Sequence, residues 1–125
     1  MTQRGRFKID VYNCVVYICY ADSEESFLRS INYYFRKHDE EKELTCSKGY
    51  AFSPSSSDTE YYLFFHKKDL SVEILNHEKS HIVDFILEDR NIQTTDEARS
   101  YLDGFISHKL TLFFTSHGIK IKNKR

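Results

Sequence analysis

Residues 60–89, EYYLFFHKKDLSVEILNHEKSHIVDFILED, decide the fold of this chain, because an apolar segment runs directly into a long amphipathic one. The continuous apolar run from Glu60 to His66 predicts a β-strand in contact with other elements on both faces. Asp69 is the expected N-cap of a helix that ends near Asp89. A strand followed by a helix of this length predicts a sheet with a helix packed on it.

The rest of the chain supplies the remaining elements of an α+β domain. They are a hairpin at residues 7–20 that turns near Asn13, a helix that opens at Asp22 or Ser23 and ends near Lys37, a strand at residues 49–53, and a last helix from Thr94 or Thr95 to Gly118. The predicted order is β-β-α-β-β-α-α. It corresponds to a small antiparallel or mixed sheet packed on the helix of residues 69–89 and on a following antiparallel helix.

Composition is typical of one soluble globular domain over residues 1–125. The chain is 40% hydrophobic and 30% charged, with a formal net charge of -1. This balance argues against disorder and gives no overall attraction to nucleic acid or to a membrane. Basic residues at 4–8 and in the basic tail at 119–125 are interpreted as solvated termini, so nucleic acid is not expected as a partner.

Targeting signals are not evident in the sequence. No segment is long enough to span a bilayer, and none carries a secretory cleavage site. The three cysteines, Cys14, Cys19 and Cys46, lack the spacing of a zinc site. They are interpreted as small buried apolar side chains in a reduced setting, and the expected location is the cytoplasm.

The helix of residues 69–89 carries the pattern His77-Glu78-x-x-His81, which is typical of zinc-dependent hydrolases. Histidines four residues apart lie one above the other on a helix, so both imidazoles can reach one metal ion. The apolar stripe of this helix lies on its other side and consists of Val72, Leu75, Ile82, Val83 and Ile86. The two histidines therefore face solvent or a polar cleft, and an exposed histidine pair without a metal is the alternative.

A zinc site of this kind needs a third protein ligand, and Glu97 is the best candidate because it lies early in the next helix. If the two helices are antiparallel, that turn comes back toward His81. Glu97 also has the spacing of a capping box with Thr94, in which its carboxylate bonds to a backbone N–H, and both interpretations stay open. Asp84 and Glu88 share the helix of the histidines and are better placed to orient them than to bind the metal.

Other polar residues of the last helix are candidates for weaker roles. Tyr101 lies one turn beyond Glu97 on the same face, where it could orient a ligand or stabilise an oxyanion. Gly104 continues that face and predicts a close approach of the two helices. His108 is a second candidate for the oxyanion, although His108 and His117 are interpreted as surface residues.

Residues 70–88, LSVEILNHEKSHIVDFILE, and residues 96–106, DEARSYLDGFI, resemble the small gluzincins, a family of zincin-fold metallopeptidases. They look closest to the compact versions carried by bacteriophages and mobile elements. The resemblance implies a minimal zincin-like fold in which His77, His81 and Glu97 bind Zn²⁺. It also implies Glu78 as general base, and a peptide or protein substrate that pairs as an extended strand with Glu60–His66.

Two functions follow from this resemblance. The first is hydrolysis of a peptide bond by zinc-activated water, with Glu78 moving the proton and Tyr101 as a further catalytic candidate. The alternative is a non-catalytic zincin-like binding module, in which a structural metal joins helices and the protein recognises a phage or host protein.

Overall fold

The computed structural model describes residues 2–93 and 95–123 and contains one four-stranded sheet and three α-helices. The elements in chain order are β1 (Thr2–Ile9), a 3₁₀ turn (Asp10–Tyr12), β2 (Cys14–Ala21), α1 (Glu24–Lys37), β3 (Gly49–Phe52), β4 (Glu60–His66), α2 (Val72–Asp89) and α3 (Asp96–Ser116). The α+β class and the small mixed sheet predicted from the sequence are therefore confirmed. In the described part of the chain, no helix combines the length and the apolar character needed to cross a membrane.

The strands are arranged in the order β1-β2-β4-β3. The outer pairs β1–β2 and β3–β4 are antiparallel, whereas β2 and β4 run parallel. Strand β4 is thus interior, and its residues from Tyr61 to His66 are buried, as the continuous apolar run predicts. The expectation that an extended peptide could pair with Glu60–His66 is wrong, because β2 and β3 already occupy both sides of this strand. The edge strands are β1 and β3.

Helices cover the two faces of the sheet and create two apolar cores. Helices α2 and α3 pack on one face, and this larger core includes Phe7, Ile9, Val16, Ile18, Leu63, Phe65, Ile82, Ile86, Leu102 and Ile106. Helix α1 packs on the other face through Phe27, Ile31 and Phe35, which are buried as their spacing predicts. Full burial of each such side chain contributes about 1.5–3 kcal/mol, so the sheet gains stability from both faces.

Side-chain caps fix where the three helices begin. The hydroxyls of Ser23, Ser71 and Thr95 each accept a hydrogen bond from the backbone N–H three residues later. The predicted start at Ser23 and the predicted start at Thr95 are confirmed. The prediction that Asp69 caps α2 is wrong, since its carboxylate instead lies 3.3 Å from Nε2 of the buried His66.

The predicted chain reversals have the left-handed backbone that they require. Asn13 has φ 51° in the turn between β1 and β2, and Asn91 has φ 53° just after α2. Gly118, with φ 66°, follows α3. Each adopts the αL conformation that Asn and Gly tolerate better than other residues, so these sequence predictions are confirmed.

The basic segments near the ends of the chain are not free termini. Arg4, Arg6 and Lys8 lie within β1. At the other end, the carbonyl of Lys122 accepts a hydrogen bond of 2.8 Å from the backbone N–H of Val72, so residues 119–123 are docked at the start of α2. The backbone of the described residues in both segments is therefore held in the fold and is not a free tail, while the basic side chains are exposed, as predicted. The predicted tail residues 124–125 lie outside the described residues.

The cysteines differ in exposure. Cys14 and Cys19 are buried, as expected for small apolar side chains, but Cys46 is exposed in the connection before β3. The prediction for Cys46 is wrong because this residue lies in an irregular segment outside both cores.

Candidate metal centre

Helix α2 brings His77, Glu78 and His81 together. Nε2 of His77 lies 3.3 Å from Nε2 of His81, and the ring centroids are 4.8 Å apart. One ligand atom from each of the three residues lies within 4.8 Å of the other two. The prediction that both imidazoles can reach one point is confirmed, and the group is able to hold a metal ion.

The separation of the two imidazole nitrogens matches the geometry of a metal site. Two ligands placed about 2.0–2.1 Å from a tetrahedral Zn²⁺ are separated by about 3.3–3.4 Å. The observed distance of 3.3 Å between the Nε2 atoms falls on this value. Neutral imidazole is also a preferred donor for zinc and its neighbours in the first transition series, so the donor set fits such an ion.

Glu78 lies beneath strand β3 and not in open solvent. Its side chain is only 8% exposed, and its carboxylate accepts a hydrogen bond from the backbone N–H of Ala51. Gly49 permits this approach, because a Cβ at that position would be 3.1 Å from Cγ of Glu78 and 2.8 Å from Cγ2 of Ile74. The edge of the sheet therefore fixes the carboxylate beside the two histidines.

Burial changes the acidity of this carboxyl group. Removal from water raises the pKa of Glu78 above its ordinary value, while His77, His81 and the Ala51 N–H act in the opposite direction. A higher pKa makes the carboxylate a stronger base near neutral pH than an exposed glutamate. The electrostatics therefore suit a residue that accepts and returns a proton.

An open groove runs beside the group. It has a volume of about 340 Å³ and lies between Gly49 of β3 and His77 and Glu78 of α2, with Lys48 and Glu73 at its margin. The imidazole of His77 and the buried carboxylate of Glu78 thus border the same space. A molecule lying along β3 would reach His77 and Glu78, and Nε2 of His81 lies 3.3 Å from Nε2 of His77.

Glu97 lies in the first turn of α3 and is exposed. It is not among the residues whose ligand atoms lie within 4.8 Å of one another in the described part of the chain. The predicted capping partner Thr94 lies outside the described residues, and the hydroxyl of Thr95 caps the helix through the N–H of Ala98. The structure does not bring Glu97 to the histidines, and its role as a ligand stays a prediction.

The side of α3 that faces α2 carries different polar residues. Nζ of the buried Lys79 lies 2.7 Å from Oγ of Ser107 and 3.2 Å from Oδ1 of Asp103. Further along, Arg99 forms an ion pair with Asp84. These contacts show that the two helices are antiparallel, as predicted. One sequence signal indicates the contacts of Lys79. Helical spacing places it on the apolar side of α2, four residues after Leu75 and three before Ile82.

Tyr101 and Gly104 lie on the outer side of α3. Tyr101 is 48% exposed, and its ring contacts are with Tyr12 and Phe105, at 6.4 and 6.1 Å between centroids. The expectation that Gly104 allows close approach of the two helices is wrong, because a Cβ there would meet nothing within 4 Å. His108 is exposed, as expected for a surface residue.

Similarity to known proteins does not identify the chain. Comparisons with protein-family models, with curated proteins and with solved structures found no significant match. The features of the molecule that bear on its function are therefore the three side chains of α2 and strand β3, which covers Glu78.

Proposed function

We propose that this protein is a zinc-dependent metallopeptidase-like hydrolase. The observation that carries the proposal is the 3.3 Å separation of the His77 and His81 Nε2 atoms, with the Glu78 carboxylate beside them. A lone exposed pair of histidines accounts for the 3.3 Å contact through a hydrogen bond between the two rings, but it does not account for the buried acid beside them. A hydrolytic site requires both features.

The roles of the three residues follow from their positions. His77 and His81 would hold the ion through Nε2. Zinc, when bound, polarises a substrate carbonyl and makes water acidic enough to lose a proton near neutral pH. Glu78 takes that proton on its carboxylate and returns it to the leaving amine, a task that its raised pKa favours.

Glu97 is our candidate for the third protein ligand, whereas Tyr101, on the outer side of α3, would need α3 to turn toward the histidines before it could stabilise the oxyanion. Since Glu97 is outside the group of ligand atoms, its coordination requires the first turn of α3 to approach α2. Such a shift would disturb the ion pair between Asp84 and Arg99, which joins the helices at this end. Loss of zinc affinity in Glu97→Ala is the expected sign of this role.

The substrate class that we propose is a peptide or protein in extended form. Strand β3 is an edge strand, and the groove lies between it and His77. An extended peptide could add to this edge through backbone hydrogen bonds, which would place a peptide bond next to Glu78. We also propose that the helix, the edge strand and the metal site are arranged as in a zincin.

One observation favours a second function, a non-catalytic binding module with a structural metal. Glu78 already accepts a hydrogen bond from Ala51, so its burial is also explained by a purely structural link between α2 and β3. In that case the protein would recognise a protein partner, and the ion would only stabilise the fold.

The variant Glu78→Gln separates the two functions. Glutamine keeps an acceptor for the Ala51 N–H but cannot take up a proton. We expect the wild-type protein to bind one zinc ion and to cleave an unfolded protein substrate. We expect His77→Ala to bind no zinc. His117→Ala, which alters an exposed histidine just after α3 and outside the group, is the matched control.

The outcomes are distinct. Glu78→Gln that retains zinc and loses cleavage supports the hydrolase. Zinc binding without cleavage by the wild type would favour the binding module, and no zinc binding by the wild type would refute both functions.

A further inference from the structure

A row of three cations lies along one face of β1. Arg4, Arg6 and Lys8 alternate with Phe7 and Ile9, which are buried in the core beneath α2 and α3. Because strand side chains alternate between faces, the three cations lie on the opposite face of the sheet, with about 7 Å between neighbours. This is the face that α1 covers, and the row lies at its uncovered edge.

Helix α1 borders this edge and forms a groove with it. A depression of about 250 Å³ separates Arg4 of β1 from Arg29 and Tyr33 of α1. A second depression, of about 270 Å³, adjoins Lys8, Tyr17 and the acidic Glu60 at the other end of the row. The row therefore connects two separate concave regions along the edge of the sheet, and we call this edge with its two depressions the β1–α1 groove.

Carboxylates leave most of this charge uncompensated. Among the described residues, no acidic side chain forms an ion pair with Arg4, Arg6 or Arg29. Lys8 pairs with Asp10 at 3.8 Å, but both side chains are largely exposed and the pair is screened by solvent. The net charge of the whole protein is -1, so this groove is a local excess of positive charge.

Aromatic rings lie beside the cations. Tyr33 is 51% exposed next to Arg29, and its edge-on contact with Tyr34 holds the ring at 5.0 Å between centroids. Tyr17, which pairs across the strands with Arg6, stacks on Tyr62 at 4.9 Å. Rings interleaved with cations are the combination that binds bases and phosphates of a single strand.

We propose that the β1–α1 groove binds single-stranded nucleic acid. Arg4, Arg6 and Lys8 contact successive phosphates, because side chains two residues apart on a strand match the phosphate spacing of an extended chain. Tyr33 stacks on a base, and Arg29 contacts a further phosphate. The sequence predicts that nucleic acid is not a partner because it places these cations in a free terminus. In the structure they lie in strand β1, so that reason does not apply.

The site is independent of the metal centre, since α2 lies on the other face of the sheet. Its test is the binding of fluorescein-labelled oligo-dT and oligo-rU, about fifteen nucleotides long, measured by anisotropy over a range of salt concentrations. Contact with four phosphates predicts that the logarithm of the association constant falls against the logarithm of salt with a slope of about −3. The two oligonucleotides distinguish DNA from RNA as the source of the strand.

The variant Arg4→Glu/Arg6→Glu is expected to bind at least about tenfold more weakly at low salt, with a smaller slope. Tyr33→Ala is expected to bind about fivefold more weakly with the slope unchanged, because it removes stacking and not charge. The matched control is Lys68→Glu/Lys120→Glu, which changes the net charge equally away from the groove. Circular dichroism and thermal unfolding establish that each variant is folded.

Four outcomes would overturn the proposal. They are absence of binding by the intact protein, equal weakening in the control variant, equal affinity for an abasic oligomer, and competition by polyglutamate as strong as that by unlabelled oligo-dT. If the intact protein does not bind, the role of the cations would be to prevent the edge strand β1 from pairing with strands of other chains. The last would identify an acidic protein as the partner.

Discussion

Gly49 of β3 lies directly against Glu78 of α2, so that a Cβ at the glycine would be 3.1 Å from Cγ of the glutamate. This contact, and not the helix alone, determines where the candidate base lies. It also links the edge strand to the helix of the histidines. Any change that separates β3 from α2 is therefore expected to alter the candidate metal centre.

Gly49→Ala is expected to destabilise the protein by about 1–3 kcal/mol, because the new methyl group would overpack the interface with Ile74 and Glu78. Urea unfolding measures the change. Gly104→Ala is the matched control, since it meets nothing within 4 Å and should stabilise α3 by about 0.5–1 kcal/mol. Similar stability of the two variants would contradict the close packing of β3 on α2.

Glu78→Gln is expected to stabilise the metal-free protein at neutral pH. Burial raises the pKa of Glu78 in the folded state, so its charged form is disfavoured there relative to the unfolded chain. The contribution of protonated Glu78 to the free energy of unfolding is fully present below the pKa that Glu78 has in the unfolded chain. It is lost as pH rises through the pKa that Glu78 has in the folded protein.

The difference in unfolding free energy between Glu78→Gln and wild type should therefore shrink as pH falls from neutral toward the ordinary glutamate range. Urea unfolding at several pH values, with chelator present, measures it. Glu97→Gln, which alters an exposed glutamate of α3, is the matched control. A difference that grows on acidification would show that hydrogen bonding to the carboxylate outweighs its burial.

Lys79 and Asp103 should be energetically coupled across α2 and α3. The lysine is buried and the aspartate is half exposed, at 3.2 Å, so solvent screens this pair only in part. A double-mutant cycle with Lys79→Met and Asp103→Asn is expected to give about 1 kcal/mol.

The exposed pair of Lys8 and Asp10 is the matched reference, with an expected coupling below about 0.5 kcal/mol. Equal values in the two cycles would indicate that burial of Lys79 does not strengthen its ion pair.

Cys46 should react with iodoacetamide much faster than Cys14 and Cys19. Cys46 is exposed, whereas burial raises the thiol pKa of the other two and lowers their thiolate fraction. Mass spectrometry of the folded protein at pH 8 would show one rapid modification, and urea should make all three cysteines reactive. Early labelling of Cys19 would place it outside the core beneath α1.

Features set by neighbouring residues could be predicted from the sequence. The caps at Ser23 and Thr95 and the left-handed Asn13 and Asn91 depend on contacts within one turn of the chain. For the same reason, the sequence could predict that the imidazoles of His77 and His81 reach one metal ion, because both residues lie on neighbouring turns of one helix. Spacing of four residues on a helix fixes their relative position whatever packs around them.

Features set by strand order and helix rotation required the tertiary structure. The sequence could not show that β4 is interior or that β3 covers Glu78, because strand pairing joins segments distant along the chain. Nor could it show which side of α3 faces α2, since Glu97 and Arg99 both begin that helix and only packing decides between them. The sequence by itself determined the histidine pair, and the tertiary structure decided what surrounds it, because burial depends on long-range contacts that no local pattern records.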